Sequence, residues 1–126
     1  MSPTQRTLAE LRKQGYRAGI VERWLRYAGT FGKRQDLFGI IDIIAISPYI
    51  TLGVQCCSTG MQEHWNKLTV EKNQESYDWL QSPDRKLQIW GWRKLRKKGL
   101  IKSGAKKKGH YWEPRIFHVT LESLDI

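Results

Sequence analysis

The chain of 126 residues has few cysteines, few prolines and few acidic residues, and it has no long apolar run. Its two cysteines, Cys56 and Cys57, are adjacent, which makes a disulfide between them geometrically unfavourable. The three histidines do not pair with them at the spacing of a structural zinc site. No apolar run reaches the roughly 18 residues of a spanning helix. The segment Met1 to Gln14 also lacks the apolar core of a secretory signal. These absences predict a cytoplasmic protein with reduced thiols and no membrane contact.

What the sequence has in excess is positive charge. Lys and Arg number 22 against 12 Asp and Glu, giving a formal net charge of +10, so nucleic acid is the leading partner. The stretch from Arg93 to Lys108, here called the basic segment, contains nine basic residues and no acid. Such a segment can contact phosphates without reading base sequence, although a merely solubilising loop is the alternative. The residues predicted to contact DNA are Lys33, Arg34, Arg93, Lys94, Arg96, Lys97, Lys98, Lys102, Lys106, Lys107 and Lys108.

Hydrophobic periodicity predicts a single α/β domain over residues 1–126, with a central mixed sheet flanked by helices in the order α-β-β-β-α-β plus a terminal strand. The predicted helices are Thr4–Gln14 and Met61–Gln81, the second with a break near Asn73. The predicted strands are Tyr16–Tyr27, Leu37–Ile46, Thr51–Cys57, Leu87–Arg93 and Ile116–Thr120. A polar loop is predicted at Thr30–Gln35, a turn at Ser47–Tyr49 and a long basic loop at 93–115. Trp90 and Trp92 are predicted to share one face of their strand.

Four oxygen-bearing side chains need an explanation. Asp42 lies in the apolar run FGIIDIIAIS, and Gln55 lies in the apolar run LGVQCC that follows the turn. A hairpin would bring these two side by side. Glu22 lies between apolar residues, and Asp36 precedes the Asp42 strand. Because Mg²⁺ prefers oxygen ligands, the four residues are candidate ligands for Mg²⁺ or Mn²⁺.

Each of these residues also has a purely structural interpretation. Asp42 could bond a backbone group or pair with an arginine, because a buried carboxylate needs compensation of some kind. Glu22 could be an ion-pair partner of Arg34 or Arg17, and Gln55 could be a core amide whose hydrogen bonds are all satisfied. The sequence alone leaves these alternatives open.

The segment FGIIDIIAI, a turn and then LGVQCC resembles the core of PD-(D/E)XK nucleases, in particular the Holliday-junction-resolvase-like branch of phage and prokaryotic type. The resemblance covers Thr4 to Lys94 and implies a restriction-endonuclease-like fold. It places Asp42 at the motif Asp, Gln55 at the motif Glu and Cys57 at the motif Lys. Glu22 or Glu10 then corresponds to the upstream acidic residue.

Two departures from the motif bear on activity. Gln55 brings no negative charge, and Cys57 cannot replace a cationic lysine. Lys67, which lies about one helical turn from His64 on the predicted helix, is the preferred substitute cation, with a solvated surface lysine as the alternative.

The function that the resemblance implies is divalent-metal-dependent endonuclease activity on branched or structured DNA, by a homodimer in a prokaryotic or phage-infected host cell. In this hypothesis Asp42, Gln55 and Glu22 or Asp36 hold Mg²⁺, water attacks the phosphodiester, and Lys67 stabilises the developing charge. The alternatives are a catalytically inactive DNA-binding protein on the same fold and a winged-helix protein. A winged helix would require a recognition helix in the segment that begins at Leu95.

Overall fold

The computed structural model describes residues 1–26 and 32–126. Its helices are α1 (Pro3–Lys13), α2 (Met61–Asn66), a π-helical turn (Lys67–Glu71), α3 (Asn73–Trp79) and a 3₁₀ turn (Leu121–Ser123). Its strands are β1 (Arg17–Ile20), β2 (Arg23–Leu25), β3 (Lys33–Gln35), β4 (Ile43–Ile46), β5 (Thr51–Cys57), β6 (Arg85–Arg96) and β7 (His110–Val119). Five strands form a mixed sheet in the order β1-β4-β5-β6-β7, and β2 pairs with β3 in a separate ribbon. The α/β prediction with a mixed sheet is therefore confirmed.

Helix α1 begins where the sequence provides a cap and covers one face of the sheet. The Ser2 hydroxyl accepts a hydrogen bond from the backbone N–H of Gln5, and Pro3 starts the helix. Leu8 and Leu11 are buried against sheet residues. After the helix, Gly15 adopts a φ of 97°, which allows the chain to reverse into β1.

The two faces of the sheet bury separate cores. The face under α1 contains Leu8, Leu11, Ala18, Ile43, Ala45, Leu52, Val54, Trp90 and Trp92. The face under α2 and α3 contains Ile40, Ile41, Cys57, Met61, Leu68, Leu87, Ile89 and Val119. Strands β4 and β5 form the predicted antiparallel hairpin, whereas β5 and β6 are parallel because the helical segment crosses between them. Trp90 and Trp92 are both buried, as their shared face predicts.

The second helical segment is divided by the π turn. The predicted break near Asn73 is confirmed, because α3 begins there after a non-helical Lys72. The Ser76 hydroxyl donates to the Leu68 carbonyl at 2.7 Å, and the Thr69 hydroxyl donates to the Trp65 carbonyl at 2.7 Å. These bonds satisfy carbonyls that the altered helical register leaves available.

Three of the predicted boundaries before Asp42 are wrong. The strand predicted at Tyr16–Tyr27 ends at Ile20, and the chain resumes as β2 of the ribbon; Tyr27 lies outside the described residues. The predicted loop at Thr30–Gln35 contains β3, while its first two residues lie outside the described part. In the strand predicted at Leu37–Ile46, residues 37–41 form a closed turn in which Leu37 bridges to Ile41. Ile40 and Ile41 are buried through this turn and not through sheet pairing, whereas Phe38 is exposed.

The predicted basic loop at 93–115 is too long, because β6 extends to Arg96 and β7 begins at His110. The two strands pair continuously from Leu87 opposite Val119 to Arg96 opposite His110. The winged-helix hypothesis is wrong, since its recognition helix would fall on residues that form this hairpin. Within the described ranges, no helix is long and apolar enough to cross a bilayer.

Candidate metal centre and nucleic-acid surface

The ribbon brings two of the candidate carboxylates together. Glu22 immediately precedes β2 and Asp36 immediately follows β3, while Arg23 pairs with Gln35 at the base of the ribbon. Antiparallel pairing therefore places Glu22 and Asp36 side by side at the point where the ribbon leaves the sheet. The sequence alone does not reveal this, because the partner of a three-residue strand depends on long-range contacts.

Asp42 is fixed at the junction of three strands. Its N–H donates to the Val54 carbonyl at 2.8 Å, and its own carbonyl accepts from the N–H of Val21 at 2.8 Å. Its side chain is 5% exposed, and Oδ2 accepts a hydrogen bond from the backbone N–H of Cys56 at 2.8 Å. The carboxyl group is thus held by the backbone of the neighbouring strand.

The three carboxylates form one cluster, here called the acidic cluster. Glu22, Asp36 and Asp42 each offer an oxygen, and these oxygens lie within 4.8 Å of one another. In octahedral Mg²⁺ coordination with oxygens at about 2.1 Å, opposite oxygens are about 4.2 Å apart and adjacent ones about 3.0 Å, so at least two of the three carboxylate pairs would need to close, by at most about 1.8 Å. The donor set consists only of hard oxygens and fits Mg²⁺ or Mn²⁺.

Gln55 and Lys67 complete the inner network. The Gln55 amide nitrogen donates to Asp36 Oδ2 at 2.9 Å and to Asp42 Oδ2 at 3.2 Å. Lys67 Nζ donates to Asp36 Oδ2 at 2.9 Å and to Gln55 Oε1 at 3.0 Å. His64 Nδ1 lies 3.3 Å from the same Gln55 oxygen. In this arrangement the amide nitrogen of Gln55 faces the carboxylates, so metal ligation by its oxygen requires a rotation of the amide.

The pKa values of the two aspartates move in opposite directions. Burial, the hydrogen bond with Asp36 and the charge of Asp36 raise the pKa of Asp42 to about 8, against the effect of the Cys56 N–H. Burial also acts to raise the pKa of Asp36, but hydrogen bonds with Asp42, Gln55 and Lys67 outweigh it and lower that pKa to about 2. The two carboxyl groups therefore share one proton near neutral pH, as two closely spaced carboxylates do.

The predicted metal-site residues come together: Glu22, Asp36 and Asp42 form the acidic cluster, and Gln55 contacts it. Glu10 and Cys57, which the resemblance to the nuclease motif also implies, lie elsewhere. Glu10 is outside the acidic cluster on α1, where it accepts from Gln14. Cys57 faces the helical core, with Sγ 3.4 Å from Met61 Sδ. Glu22 also pairs with Arg34 at 3.9 Å, as its structural interpretation predicts, but the Arg34 side chain is 71% exposed and such a pair is weak.

The residues predicted to contact DNA are all exposed. Lys33 and Arg34 lie on the ribbon, three and two residues before Asp36. The basic segment begins two residues after Gly91, which pairs with Cys57 at the end of β5. It therefore extends from the same end of the sheet that carries Gln55 and the acidic cluster. Its hairpin connection is closed by a bridge between Leu100 and Lys106.

The aromatic residues around the basic segment divide into two groups. Trp90 and Trp92 are core residues, and Trp92 Nε1 donates to Thr7 Oγ1 at 2.8 Å. Tyr111 and Trp112 are exposed by 43% and 40%, and the guanidinium of Arg6 lies 4.0 Å from the centre of a Trp112 ring. Only the second pair can therefore contact a ligand without unfolding the core.

Comparison with known proteins leaves the chain unassigned. No family model matches it, and neither a curated protein nor a solved structure does. The function is therefore argued from the site itself.

Proposed function

We propose that this chain is a divalent-metal-dependent DNA endonuclease of the PD-(D/E)XK type that acts on branched or structured DNA. The observation that carries the proposal is the convergence of Glu22, Asp36 and Asp42 with Lys67 at the end of the sheet where the basic segment begins. Buried carboxylates beside a cationic surface are unusual in a purely structural role, because each one needs compensation.

The three carboxylates would hold the cation, and Gln55 would orient them. A bound Mg²⁺ lowers the pKa of water and neutralises negative charge on a phosphate. Asp42 is positioned by two donors, the Cys56 N–H and the Gln55 amide. A carboxylate held by backbone and amide donors needs little reorganisation when it binds a cation.

Lys67 would supply the cation that the motif lysine supplies in the nucleases that the chain resembles. Its ammonium group lies against Asp36 and Gln55, and its side chain is 30% exposed, so it can reach both the cluster and an approaching phosphate. Cys57, at the motif position, points into the core. The cation of this site thus comes from the π turn and not from β5.

The exposed cations would guide the DNA backbone to the acidic cluster. Lys33 and Arg34 lie on the ribbon, and Arg93 and Lys94 lie on β6 four and five residues beyond Ile89, the partner of Gln55. Phosphate contacts of this kind fix position and leave base sequence unread. Junction cleavage by symmetric cuts, as the resemblance implies, would require two copies of the chain.

The test is cleavage of supercoiled, linear, single-stranded and four-way-junction DNA in Mg²⁺, Mn²⁺ or EDTA. We expect metal-dependent cleavage that is strongest on the junction. Asp42→Asn should abolish cleavage and leave DNA binding intact, or tighter above about pH 8, where Asp42 is ionised and the substitution removes negative charge beside the phosphate path. Asp84→Asn is the matched control, since Asp84 is exposed at the opposite end of the sheet. Cleavage retained by Asp42→Asn would overturn the proposal.

A second candidate function is a DNA-binding protein that has lost cleavage. The observation in its favour is that Lys67 and Gln55 already satisfy Asp36 and Asp42 without a metal ion. It predicts junction binding in EDTA and no cleavage in either metal. It also predicts no heat of Mn²⁺ binding by calorimetry, whereas the nuclease proposal predicts saturable binding.

A further inference from the structure

A cavity of about 350 Å³ opens on the helical side of the sheet, between the turn at Phe38 and the start of β6 at Arg85. It is lined by Phe38, Glu75, Asp78, Trp79 and Arg85. Small-molecule pockets measure roughly 300–1,000 Å³, so this one suits a single small group. Neither Phe38 nor Trp79 has a role in the proposed metal site.

The chain connects this cavity directly to the cluster. Phe38 is two residues from Asp36, whose carbonyl accepts from the N–H of Gly39 at 3.0 Å. On the other side, a Cβ at Gly53 would lie 2.7 Å from Ile41 Cδ1 and 3.2 Å from Trp79 Cε2, so both side chains pack on the bare backbone of β5. Gly53 and Gln55 share one face of that strand, about 7 Å apart. A polymer bound at the cluster can therefore place a neighbouring unit in the cavity.

Phe38 is held in a conformation that an aromatic residue rarely adopts. Its φ is 56°, and it is the one non-glycine residue with positive φ within 1–26 and 32–126. The tight turn that the Ile40 N–H closes on the Leu37 carbonyl at 3.1 Å maintains this conformation, and it leaves Phe38 62% exposed. Strained residues that the fold nevertheless maintains are concentrated at functional sites.

The side chains that line the cavity favour a flat ligand that carries amino groups. Two aromatic rings, with the Arg85 guanidinium 5.7 Å from the centre of a Trp79 ring, provide surfaces for a flat group. Glu75 and Asp78 would repel a phosphate, whereas their carboxylates accept hydrogen bonds from amino groups. A cationic partner is disfavoured by the net charge of +10.

We propose that this cavity binds one unpaired nucleobase of the DNA strand that enters the acidic cluster. Stacking on Phe38 and Trp79 supplies affinity, and the carboxylates favour bases that carry an amino group. The proposal rests on the proposed nuclease function and defines its substrate as DNA with at least one base that is free to leave the stack. A fully paired duplex can fill the cavity only at the free-energy cost of unpairing and unstacking one of its bases.

The test compares two DNA duplexes in EDTA, so that cleavage plays no part. One contains a single bulged 2-aminopurine, an amino-bearing fluorescent base, and the other is fully paired. We expect the wild-type protein to prefer the bulged duplex and to quench its fluorescence by stacking. Phe38→Ala should weaken binding of the bulged duplex by at least about fivefold and change binding of the paired duplex by less than about twofold. Tyr49→Ala is the control, because Tyr49 is 84% exposed at the opposite end of β4.

Two results would overturn the nucleobase proposal alone: equal affinity of the wild-type protein for both duplexes, or an equal loss on both in Phe38→Ala. Metal-dependent cleavage would be unaffected by either result. Failure to bind either DNA would overturn the proposed function as well. Phe38→Gly guards against misfolding, because glycine accommodates the positive φ, and it should lose the preference for the bulge as Phe38→Ala does.

Discussion

At the scale of single residues, the proton shared by Asp36 and Asp42 makes the site sensitive to pH. With a pKa of about 8, Asp42 holds a proton in the folded protein at pH values where an unfolded aspartate, with a pKa of 3.8, has lost it. The folded state therefore binds more protons than the unfolded state between about pH 4 and 8. Stability must fall as the pH rises through that window. The low pKa of Asp36 acts with the opposite sign, but only below about pH 4.

The first prediction is that Asp42→Asn stabilises the metal-free protein at pH 8.5 and does so much less at pH 5, near the lower end of that window. The amide resembles the protonated carboxyl, so the variant avoids the repulsion that appears when Asp42 ionises beside Asp36. We expect a gain of at least about 1.4 kcal/mol at pH 8.5, the free energy of one pKa unit. Urea unfolding in EDTA at both pH values measures it. Destabilisation at both pH values, with cleavage retained, would instead assign Asp42 a structural role.

The second prediction concerns Lys67, whose ammonium group competes with a metal ion for Asp36. Lys67→Gln should bind Mn²⁺ more tightly, because a positive charge 2.9 Å from Asp36 Oδ2 is removed. Cleavage should nevertheless fall by about 10²-fold, as when one donor to developing charge is lost. Calorimetry and single-turnover cleavage separate the two effects. Lys13→Gln is the control, since Lys13 is an exposed lysine in the last turn of α1. Unchanged cleavage in Lys67→Gln would remove Lys67 from the mechanism.

The third prediction is that Cys57 has no chemical role. Burial raises the pKa of its thiol, and its sulfur packs on Met61, so it is a poor nucleophile. Cys57→Ser should retain cleavage within about twofold and lose about 1–3 kcal/mol of stability, because a hydroxyl is placed in an apolar core. Cleavage and thermal melting of the same preparation test this. A folded but inactive Cys57→Ser protein would contradict the prediction.

At the scale of secondary structure, the sequence predicts what local patterns determine. The β4–β5 hairpin follows from two apolar runs around Ser47–Tyr49, and α1 follows from its cap and its glycine. The ribbon was missed because Arg23–Leu25 continues the strand-like pattern of β1, and only its pairing with Lys33–Gln35 separates the two strands.

The site shows the same division between local and long-range information. Asp42 and Gln55 stand out locally as polar residues in apolar runs, and the hairpin brings them together as predicted. The orientation of the Gln55 amide depends on Lys67 and both aspartates together, so the sequence could not reveal it. The conformation of Phe38 was also missed, because a positive φ at a phenylalanine has no compositional signal.

The fourth prediction concerns the attachment of α1 to the sheet. Thr7 is fully buried, accepts a hydrogen bond from Trp92 Nε1 and donates to the Pro3 carbonyl. Thr7→Val keeps the shape but leaves the buried indole N–H without its acceptor, which should cost about 1–3 kcal/mol. Thr7→Ser, which keeps the hydroxyl, should cost less. Urea unfolding of the two variants provides the comparison. An equal loss in both would assign the effect to the methyl group and not to the hydrogen bond.

At the scale of the whole molecule, charge is distributed along the sheet in a way that suits a polyanion. The acidic cluster lies at the end of β5 where β6 continues into the basic segment, and the ribbon adds Lys33 and Arg34 at that same end. The net charge of +10 attracts DNA from a distance, while these local cations determine where the backbone settles. Substitutions in the basic segment should therefore change DNA affinity, whereas substitutions in the acidic cluster should change cleavage.

The last prediction is that DNA affinity falls steeply with salt and that the basic segment determines the slope. Each phosphate contact contributes about 0.9 to the slope of log affinity against log salt, because it releases condensed counterions. Replacing Lys106, Lys107 and Lys108 with glutamine should flatten that slope by up to about 2.7. The matched control replaces Lys13, Arg17 and Lys86, three exposed cations at the opposite end of the sheet, and should leave the slope nearly unchanged. Fluorescence anisotropy between 50 and 200 mM salt measures both, in EDTA so that no DNA is cut. Because both triple variants lower the net charge equally, a general electrostatic effect would flatten both slopes alike and place the binding surface elsewhere.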